Sequence, residues 1–567
     1  MATIVVRNDR LPVNRERQNL TATAHQRLMM ILLVILAVAA VLVLRLAWMG
    51  VSSGLQAHTS YGAGGAPPRA DIVDRNGVPL ARTMDGYSIA VRPSRLIGDP
   101  QELARKLHEI FPDTPEKSFY TKLTGKGWAY LRKSALPEQV AQVNALGEVG
   151  IEFPRGKERV YPQRTLAAHV LGFAPVQDAD APQGGMGVEA AFNDRLTDPA
   201  QRNTPLALSI DSRVQGVLEN ELYSALVEQR ANGATGVILD ANTGEVIAMA
   251  SFPVFDPNKL GSNIDARRNN VVQSRYELGS TFKPLAFAAA MDEGAIKSLG
   301  RRYDATAPLQ VGGFRIKDDH PLGRWLTVPE ALVHSSNIVT ARIADDMGTE
   351  AMQKIYRALE FDRRPSIELK ERARTIWPSS WGRVTNMTVA YGHGIAVTPI
   401  HLASAYAALV NGGIWRPATL LRLKEEDVPK GRRVYSAATS ARMRQMLRMI
   451  VMDGTGRSAD APGYRIGGKT GSAEKPFEGG YAHHSLVTTF AAAFPMDNPR
   501  YVVLTMMDEP KGTPATFGLR TAAFTAAPVV KKVVTRIGPM LGIIPDERRD
   551  VDLSELMPLL TTVKKKD

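Results

Sequence analysis

The sequence predicts an α+β protein with three parts: one N-terminal transmembrane helix, a middle domain of mixed strands and helices, and a larger domain whose helices pack on the faces of one antiparallel sheet. Three observations predict this class. One apolar run of bilayer length lies near the N-terminus. Short strand-like and helical segments then alternate, and in the last part of the chain strands stand before and after a helix-rich middle.

Length and composition limit the function classes. The 567 residues suffice for two or three domains, and 44% hydrophobic with 22% charged residues is typical of globular proteins. The formal net charge of +13 attracts polyanions. Because zinc-finger spacing and arginine-rich tracts with interleaved aromatics are absent from the sequence, it predicts no nucleic-acid partner and favours a membrane or cell-wall surface. The lack of cysteine excludes disulfides, thiolate metal sites and cysteine nucleophiles.

The apolar run predicts a transmembrane anchor over residues 28–49. Leu28–Leu44 is unbroken, and the apolar residues beyond Arg45 extend it to the roughly 20 residues that cross a bilayer as a helix. Five arginines and two acidic residues precede the run, whereas residues 50–68 contain no lysine or arginine. The positive-inside rule therefore places a tail of residues 1–27 in the cytoplasm and the remainder outside. The alternative is a cleaved signal peptide, whose apolar region is normally only roughly 7 to 15 residues long.

The middle of the chain predicts a linker and a first folded domain. Residues 50–68 are small and polar and end in a Gly/Pro-rich stretch, which is typical of a flexible linker. Within residues 69–205, strand-like residues 87–91 alternate with polar helical segments at residues 100–110 and 137–146. This mixture predicts an α+β domain.

A hairpin opens the larger domain, which is predicted over residues 206–548. The apolar segments 235–240 and 246–250 flank an Asn-Thr-Gly-Glu turn, which is typical of two antiparallel strands. A helix-rich stretch follows to about residue 452. Two later strands and a final helix are predicted at residues 485–494, 501–507 and 521–541.

The first chemical motif is Ser280-Thr-Phe-Lys283. It precedes an Ala-rich helical run, so Ser280 is expected at a helix N-terminus, where backbone N–H groups can hold an oxyanion. Lys283 lies three residues later on the same face, and its neutral amine could take the serine proton. A Ser-x-x-Lys occurs by chance roughly once in a chain of this size, so by itself the motif is also explained as a helix cap.

Two further motifs follow. Ser335-Ser336-Asn337 offers a hydroxyl and an amide that can relay protons. The motif at residues 469–472 follows a strand-like segment at residues 464–468, and its glycine would let a substrate backbone approach closely. By itself this third motif could be a basic strand-to-turn junction. Its members are Lys469, Thr470, Gly471 and Ser472.

In this order the three motifs resemble those of the penicillin-binding protein and serine β-lactamase superfamily. The resemblance implies that a D-Ala-D-Ala stem peptide acylates the first serine, that the first lysine and the second motif manage protons, and that the third motif binds the substrate carboxylate. It assigns catalytic roles to Ser280, Lys283, Ser335, Asn337 and Lys469, substrate binding to Thr470, Gly471 and Ser472, and an oxyanion hole to the backbone N–H groups of Ser280 and Ser472.

Motifs outside the site are similar to those of class B penicillin-binding proteins. Residues 69–77, 159–162 and 187–189 resemble their pedestal motifs, and the run 468–475 most resembles the division-specific members, the penicillin-binding protein 3 group. The resemblance implies a pedestal (dimerisation-type) domain over residues 69–205, a transpeptidase domain with an added helical subdomain over 206–548, and a C-terminal tail over 549–567. Leu278 and Ser472 depart from the family pattern, which usually has Pro and Thr there.

The same resemblance implies a location, ligands and partners. The expected protein is a single-pass inner-membrane enzyme with a periplasmic catalytic part at the division site. It would act on D-Ala-D-Ala donors and amine acceptors, react with β-lactams, and assemble with a multi-span glycan polymerase and other division proteins through its anchor and pedestal. No cofactor and no metal is predicted; the pair His483-His484 lacks an accompanying carboxylate and is interpreted as a solvated loop.

Several alternatives stay open at this point. A β-lactamase would need a deacylating Glu followed four residues later by Asn, and no Asn occurs between Asn337 and Asn386. A D,D-carboxypeptidase shares the acylation step, and an elongation-type class B transpeptidase shares the whole mechanism. A different class, a non-catalytic division scaffold or a β-lactam sensor, would keep the fold without turnover; complete motifs argue against a scaffold and a single span against a multi-span sensor.

Overall fold

The computed structural model describes residues 27–45, 69–174, 185–477 and 480–560. The expected cytoplasmic tail up to residue 26, the linker 50–68 and the end of the C-terminal tail lie outside the described residues, as do the side chains of His483 and His484. The described chain outside the N-terminal helix divides into two compact units, residues 86–156 and residues 69–85 with 157–560. The predicted domain boundaries at residues 205 and 548 stay predictions.

The predicted anchor contains a helix, α1 (Arg27–Arg45), of 19 residues with a mean hydropathy of 3.0. Its side chains are not buried in protein, and by length and composition it can cross a membrane. It begins one residue before the predicted start, and residues 46–49 of the predicted anchor lie outside the described part of the chain. This N-terminal apolar helix therefore fits a membrane anchor.

Residues 86–156 form the smaller compact unit. The end of its long strand, residues 87–91, pairs antiparallel with two other strands, as Ala90 with Tyr130 and Val91 with Ile151 show. The helix predicted at residues 100–110 begins after Asp99, whose carboxylate accepts hydrogen bonds from the first N–H groups. The strands and helices of residues 69–207 are β1 (Ile72–Val73), β2 (Pro79–Val91), β3 (Ala129–Ala135), β4 (Ile151–Glu152), β5 (Arg155–Val160), β6 (Leu206–Ala207), α2 (Pro100–Ile110), α3 (Glu116–Leu123), α4 (Pro137–Asn144), α5 (Ala168–Leu171), α6 (Gly187–Ala191) and α7 (Asn193–Thr197).

The larger unit contains a buried ion cluster built from the residues that resemble pedestal motifs. The Glu189 carboxylate lies 2.8 Å from Arg69 Nε and 2.6 Å from Arg159 Nε, and all three side chains are buried. Tyr161 adds a hydroxyl hydrogen bond to Glu189 at 3.3 Å. One carboxylate therefore compensates two buried guanidinium groups.

Replacing Glu189 with Gln is expected to destabilise this unit by about 3 kcal/mol, because it leaves two buried guanidinium charges without a counter-charge. The measurement is chemical denaturation of the full chain. The matched control is Glu102→Gln, which removes an exposed pair with Lys106 and should change the midpoint little. Equal midpoints for the two variants would contradict this account.

One five-stranded antiparallel sheet organises the rest of the larger unit. The predicted hairpin forms its β7 and β8, and the two strands predicted near the C-terminus form its β16 and β17. The strand order is β15-β16-β17-β7-β8, so β15 lies at one edge. The strands of this part are β7 (Gly233–Asp240), β8 (Val246–Phe252), β9 (Arg302–Ala305), β10 (Leu309–Val311), β11 (Phe314–Ile316), β12 (Arg324–Thr327), β13 (Ile414–Trp415), β14 (Arg432–Arg433), β15 (Gly467–Phe477), β16 (Gly480–Phe494) and β17 (Tyr501–Asp508).

Helices cover both faces of this sheet, as the sequence predicts. Apolar residues of the helices at residues 212–228 and 526–540 pack against one face of the sheet in a shared core. Two central helices belong to the largest core cluster. The two central helices, residues 283–292 and 399–410, are apolar almost all round, which suits their burial. The helices are α8 (Ser212–Glu228), α9 (Asn270–Gln273), α10 (Lys283–Asp292), α11 (Val328–Val333), α12 (Asn337–Met347), α13 (Thr349–Ala358), α14 (Arg383–Val389), α15 (Pro399–Val410), α16 (Ala437–Asp453) and α17 (Ala526–Met540).

Three local predictions differ from the structure. The final helix begins at Ala526, five residues later than predicted, and the helix-rich middle also contains the short strand pairs β9–β12 and β10–β11. The prediction of a strand at residues 464–468 is wrong for residues 464–466. Arg465 has a left-handed backbone with φ of 50°, which cannot continue a strand, and β15 begins at Gly467 and runs through the third motif.

Candidate active site

Ser280 lies in a single 3-10 turn, Gly279–Phe282, that leads directly into α10. The Tyr406 hydroxyl donates to the Thr281 carbonyl at 2.8 Å, and the Thr281 hydroxyl donates to the Leu278 carbonyl at 2.8 Å. Ser280 is half-buried, and its hydroxyl makes no hydrogen bond to another described residue. The turn is thus held from two sides, and Ser280 lies directly before α10, as the sequence predicts for a serine at a helix N-terminus.

The Lys283 amine is fully buried beside the second motif. Its Nζ lies 2.5 Å from the Ser335 carbonyl oxygen and 3.1 Å from Ser335 Oγ. Burial lowers the pKa of Lys283 from its ordinary value of 10.5 to about 7, and the nearby carboxylates of Asp318 and Asp319 oppose this shift. A substantial fraction of this amine is therefore neutral at neutral pH and can accept a proton.

Ser335 bridges two lysines. Its Oγ also lies 2.9 Å from Nζ of Lys469, so the two amines contact one hydroxyl. Ser335 has φ of 61°, in the left-handed region, which costs a non-glycine residue about 1 kcal/mol or more. The turn between α11 and α12 therefore holds this serine in an unfavourable backbone conformation that aims its hydroxyl and carbonyl at the lysines.

Lys469 is equally buried, on the edge strand β15. Its Nζ also lies 3.2 Å from its neighbour Thr470's carbonyl oxygen and 3.3 Å from that residue's hydroxyl. Burial lowers the pKa of Lys469 well below 10.5, and the positive charge of Lys283 lowers it further. Repulsion disfavours a state in which both amines are protonated, and the structure identifies burial as the main cause of the lowered Lys283 pKa.

Asn337 is placed differently from the other predicted polar residues. Its Nδ2 donates to the Lys317 carbonyl at 3.0 Å, and among the described residues Asn337 forms a hydrogen bond with neither Lys283 nor Lys469.

Asp318 connects the loop that contains Lys317 to α12. Its carboxylate accepts hydrogen bonds from the Ser336 hydroxyl at 2.8 Å and from Ile338 N at 2.9 Å. The sequence reasoning missed Asp318 because nothing in the three motifs marks a carboxylate in this loop.

The remaining hydroxyls of the third motif line the edge strand. Thr470 Oγ1 donates to Thr455 Oγ1 at 2.8 Å, and Ser472 Oγ accepts a hydrogen bond from Ala522 N at 3.1 Å. The Ser472 hydroxyl keeps its own proton for another acceptor. Because β15 is an edge strand, part of its backbone has no neighbouring strand and could pair with an extended peptide.

Gly471 is needed for packing within the protein, whereas its predicted contact with a substrate backbone stays a prediction. A Cβ at this position would lie 2.4 Å from the Leu278 carbonyl oxygen and 2.8 Å from Thr281 Cγ2. The missing side chain therefore admits the protein's own backbone, and in the described structure no substrate approach is needed to explain the glycine. It lets the edge strand touch the turn that carries Ser280.

Replacing Gly471 with Ala should push β15 away from that turn. We expect a loss of stability of roughly 1 to 3 kcal/mol and slower acylation, because overpacking shifts the backbone on one side of the site. Thermal unfolding and the rate of β-lactam labelling measure both effects. Gly127→Ala is the matched control, since a Cβ there meets nothing within 4 Å; equal behaviour of the two variants would contradict the close-approach argument.

The two departures from the family pattern fit the structure. Leu278 is 1% exposed and adds its side chain to the core beneath the turn of Ser280, while Ser472 keeps a hydroxyl on the edge strand.

Two residues outside the three motifs also contact this turn. Gly392 packs against it, since a Cβ at Gly392 would lie 2.2 Å from the Gly279 carbonyl oxygen. The sequence reasoning missed Tyr406, the turn's buried hydrogen-bond donor, because it lies outside the three motifs and 125 residues from Thr281.

Two buried lysines share the hydroxyl of Ser335, and the turn of the half-buried Ser280 touches the edge strand that carries one of them. Comparisons with known proteins identify the family. Residues 234–534 match the penicillin binding protein transpeptidase domain, and residues 65–197 match the penicillin-binding protein dimerisation domain. The chain is 37% identical over 507 residues to the probable peptidoglycan D,D-transpeptidase FtsI of Caulobacter vibrioides, covering 88% of this chain and 85% of that protein. It is 28% identical over 524 residues to the peptidoglycan D,D-transpeptidase FtsI of Escherichia coli K12, covering 86% of each.

A solved structure shows the same fold. Penicillin-binding protein 3 of Mycobacterium tuberculosis, crystallised with aztreonam, aligns with a TM-score of 0.65 and 24% identity over 85% of this chain and 98% of that one. The chain therefore belongs to the peptidoglycan D,D-transpeptidases of the class B penicillin-binding protein family. The predicted α+β fold and the predicted enzyme class are confirmed.

Proposed function

We propose that this transpeptidase works through an acyl-enzyme on Ser280 and acts at the division septum. One observation carries the mechanism: the buried amines of Lys283 and Lys469 both contact Ser335 Oγ. Lys283 begins the helix that follows the turn of the half-buried Ser280, and this turn touches the edge strand β15. A nucleophile next to a neutral amine and a hydroxyl relay can perform acyl transfer without a metal ligand.

Acylation begins with a donor peptide bound along β15. The terminal carboxylate lies toward the hydroxyls of Thr470 and Ser472 and the charge of Lys469. Ser280 Oγ attacks the carbonyl carbon of the penultimate D-Ala while its proton passes to neutral Lys283 Nζ. The N–H groups of Ser280 and Ser472 hold the oxyanion. The peptide C–N bond then breaks, and the terminal D-Ala leaves as an amine after it takes the proton through Ser335.

The second half of the reaction, deacylation, uses the same groups with the direction of proton transfer reversed. The side-chain amine of an acceptor stem peptide attacks the Ser280 ester and gives its proton to the relay of Ser335 and Lys283. The ester bond breaks, Ser280 Oγ takes a proton back, and a new amide joins the two stem peptides. Because one site serves both halves, the kinetics are ping-pong. Asn337, whose Nδ2 is held on the Lys317 carbonyl, stays the second predicted member of this relay.

Intact-mass analysis tests the acyl-enzyme. Full-length protein in detergent micelles is incubated with benzylpenicillin, and the adduct is located by peptide mapping. A stable adduct of one benzylpenicillin on Ser280 supports the proposal. Folded protein without an adduct would favour the non-catalytic scaffold, and an adduct on another serine would overturn the assignment of the nucleophile.

The rate of this acylation should depend on pH through Lys283. Since only its neutral amine can accept the serine proton, and its pKa is about 7, the rate should fall about tenfold per pH unit below pH 7 and level off above it. Stopped-flow labelling with a fluorescent penicillin measures the profile. A rate that is flat between about pH 5.5 and 8.5 would contradict a base of this pKa.

The septal role rests on the resemblance of residues 468–475 to division-specific members, and α1 would anchor the catalytic part at the outer face of the inner membrane. The pedestal and anchor would contact a multi-span glycan polymerase and other division proteins.

Depletion of this protein in the native bacterium distinguishes the two class B roles. Cells that grow into filaments indicate septal synthesis, and cells that become round would indicate an elongation-type enzyme.

A D,D-carboxypeptidase uses the same acylation step and differs only in the second nucleophile. Incubation with a D-Ala-D-Ala stem peptide and an amine acceptor separates the two activities. A cross-linked product supports the transpeptidase, whereas free tetrapeptide as the sole product would indicate the carboxypeptidase.

A further inference from the structure

The last described residues of the chain, 546–560, form a strap along helix α16. Three side chains of the helix, each three residues after the one before, lie along one side of it and bond to the strap. The contacts are Arg442 with Glu555 at 2.6 Å, Gln445 with the Asp552 carbonyl at 2.7 Å and Arg448 with Asp550 at 2.7 Å. Their order shows that the strap runs antiparallel to the helix.

Apolar side chains fix the strap to the body of the larger unit. Leu553 and Leu556 are buried and belong to the largest core cluster. At the far end of the strap, the Leu559 carbonyl accepts a hydrogen bond from the Thr327 hydroxyl at 2.9 Å. Thr327 caps α11, the helix that leads to Ser335. The strap is therefore a packed element and reaches the segment of the second motif.

Helix α16 in turn contacts the helices that carry the first two motifs. Near its start, the Thr439 hydroxyl donates to the carboxylate of Asp292, the last residue of α10, at 2.7 Å. At its end, a Cβ on Gly454 would lie 2.7 Å from the carbonyl oxygen of Val333, two residues before Ser335. A shift of α16 would therefore be felt at the active site.

Arg448, on α16, connects the strap to the third motif. Its buried guanidinium donates to the carboxylates of Asp550 and Asp460, each at 2.7 Å, and to the Ile466 carbonyl at 2.9 Å. Ile466 lies directly before β15, three residues before Lys469. Because a guanidinium is planar and rigid, this one side chain fixes the distance between the strap and the start of β15.

We infer that Arg448 is a positioning residue for acyl transfer: by tying the strap to the start of β15, it keeps Lys469 in contact with Ser335 Oγ. The inference rests on the acyl transfer of the proposed function. Arg448 itself does not touch the reacting groups. A displacement of about 1 Å in a catalytic group can cost about a hundredfold in rate, so loss of the tie should slow acylation although nucleophile and base are intact.

Two variants of the full-length protein in detergent micelles break the tie. Arg448→Met removes it outright, and because Arg448 is buried this change also costs stability. Asp550→Ala breaks it from the strap, and since the Asp550 side chain is 34% exposed, this variant should fold. We expect labelling with a fluorescent penicillin, followed by stopped flow, to be at least about tenfold slower in each folded variant.

Asp552→Ala is the matched control. Asp552 is an exposed residue of the same strap, and its carboxylate accepts a hydrogen bond from Ser554 N within its own turn. The variant keeps the backbone carbonyl that Gln445 contacts. It should label like the wild type. Thermal unfolding of each variant checks that the rate is that of folded protein.

The pH profile of labelling separates positioning from a general loss of stability. If β15 moves, water reaches the buried amines of Lys283 and Lys469, and the burial that lowers the pKa of Lys283 to about 7 weakens. The midpoint of the rate against pH should therefore move upward in Asp550→Ala. Asp318 and Asp319, the carboxylates near Lys283, are not on the strap.

Slower labelling with an upward shift of the midpoint in folded Asp550→Ala, and neither change in Asp552→Ala, supports the inference. A midpoint equal to that of the wild type, with or without a slower rate, would overturn it. Equal changes in Asp550→Ala and Asp552→Ala would also overturn it. Failure of the wild type to label would instead overturn the proposed function.

Discussion

Replacing Ser280 with Ala should abolish acylation by benzylpenicillin, reducing the rate by on the order of 10⁴-fold or more. The methyl group keeps the shape of the turn but cannot form the ester, and Ser280 Oγ makes no hydrogen bond to another described residue, so the turn loses no contact. Intact-mass analysis of the full-length variant measures the loss. Its thermal unfolding temperature should stay within a degree or two of the wild type.

Ser224→Ala is the matched control, because Ser224 is an exposed serine on α8 that donates only to the Asn220 carbonyl. It should label like the wild type. Labelling that persists in the Ser280 variant at a comparable rate would show that another residue is the nucleophile. Loss of labelling together with a large drop in unfolding temperature would show a structural role for Ser280, which the Thr281 and Tyr406 contacts argue against.

Replacing Lys283 with Met should slow acylation by about 10²- to 10⁴-fold, because Met has similar length but no nitrogen to accept the serine proton. The variant also removes the Lys283 contacts to the Ser335 carbonyl and hydroxyl, while the Lys469 contact to that hydroxyl remains. The residual rate should lose the pH dependence near 7 that the wild type shows. Stopped-flow labelling across the pH range measures both the rate and its profile.

Lys297→Met is the control for this variant, since Lys297 is exposed and lies outside the site. It should keep the wild-type rate and pH profile. If Lys283→Met kept the pH step near 7, the titrating group would be a different one, and Lys469, which shares Ser335 Oγ, would be the next candidate. A wild-type rate in Lys283→Met would refute the base assignment.

The sequence predicted elements well where local patterns are strong. The hairpin of β7 and β8 follows from two apolar segments around a short turn, and α2 follows from Asp99, Pro100 and its amphipathic spacing. The strand prediction was wrong at residues 464–466, where apolar and aromatic residues suggested a strand. There the chain turns through a left-handed Arg465, whose side chain pairs with Asp497 and donates to the Gly463 carbonyl. Such partners are set by the tertiary fold.

At the candidate active site, too, local sequence predicts the residues while the tertiary fold decides their contacts. The three motifs and the family resemblance predict Ser280, Lys283, Ser335 and Lys469 as site residues, but nothing local indicates that one Ser335 hydroxyl would contact both amines. Lys283 is 52 residues from Ser335 in sequence, and Lys469 is 134 residues away. The lowered amine pKa, the role of Asp318 and the reason for Gly471 all depend on this assembly.

By itself, the sequence determined the N-terminal apolar helix, the α+β class and the class of enzyme, because apolar length, residue type and short-range order are properties of local segments. Only the tertiary structure decided which groups meet. Burial and the distances between remote segments set the state of Lys283 and the strain at Ser335, since these depend on how distant parts of the chain pack and on what surrounds each charge.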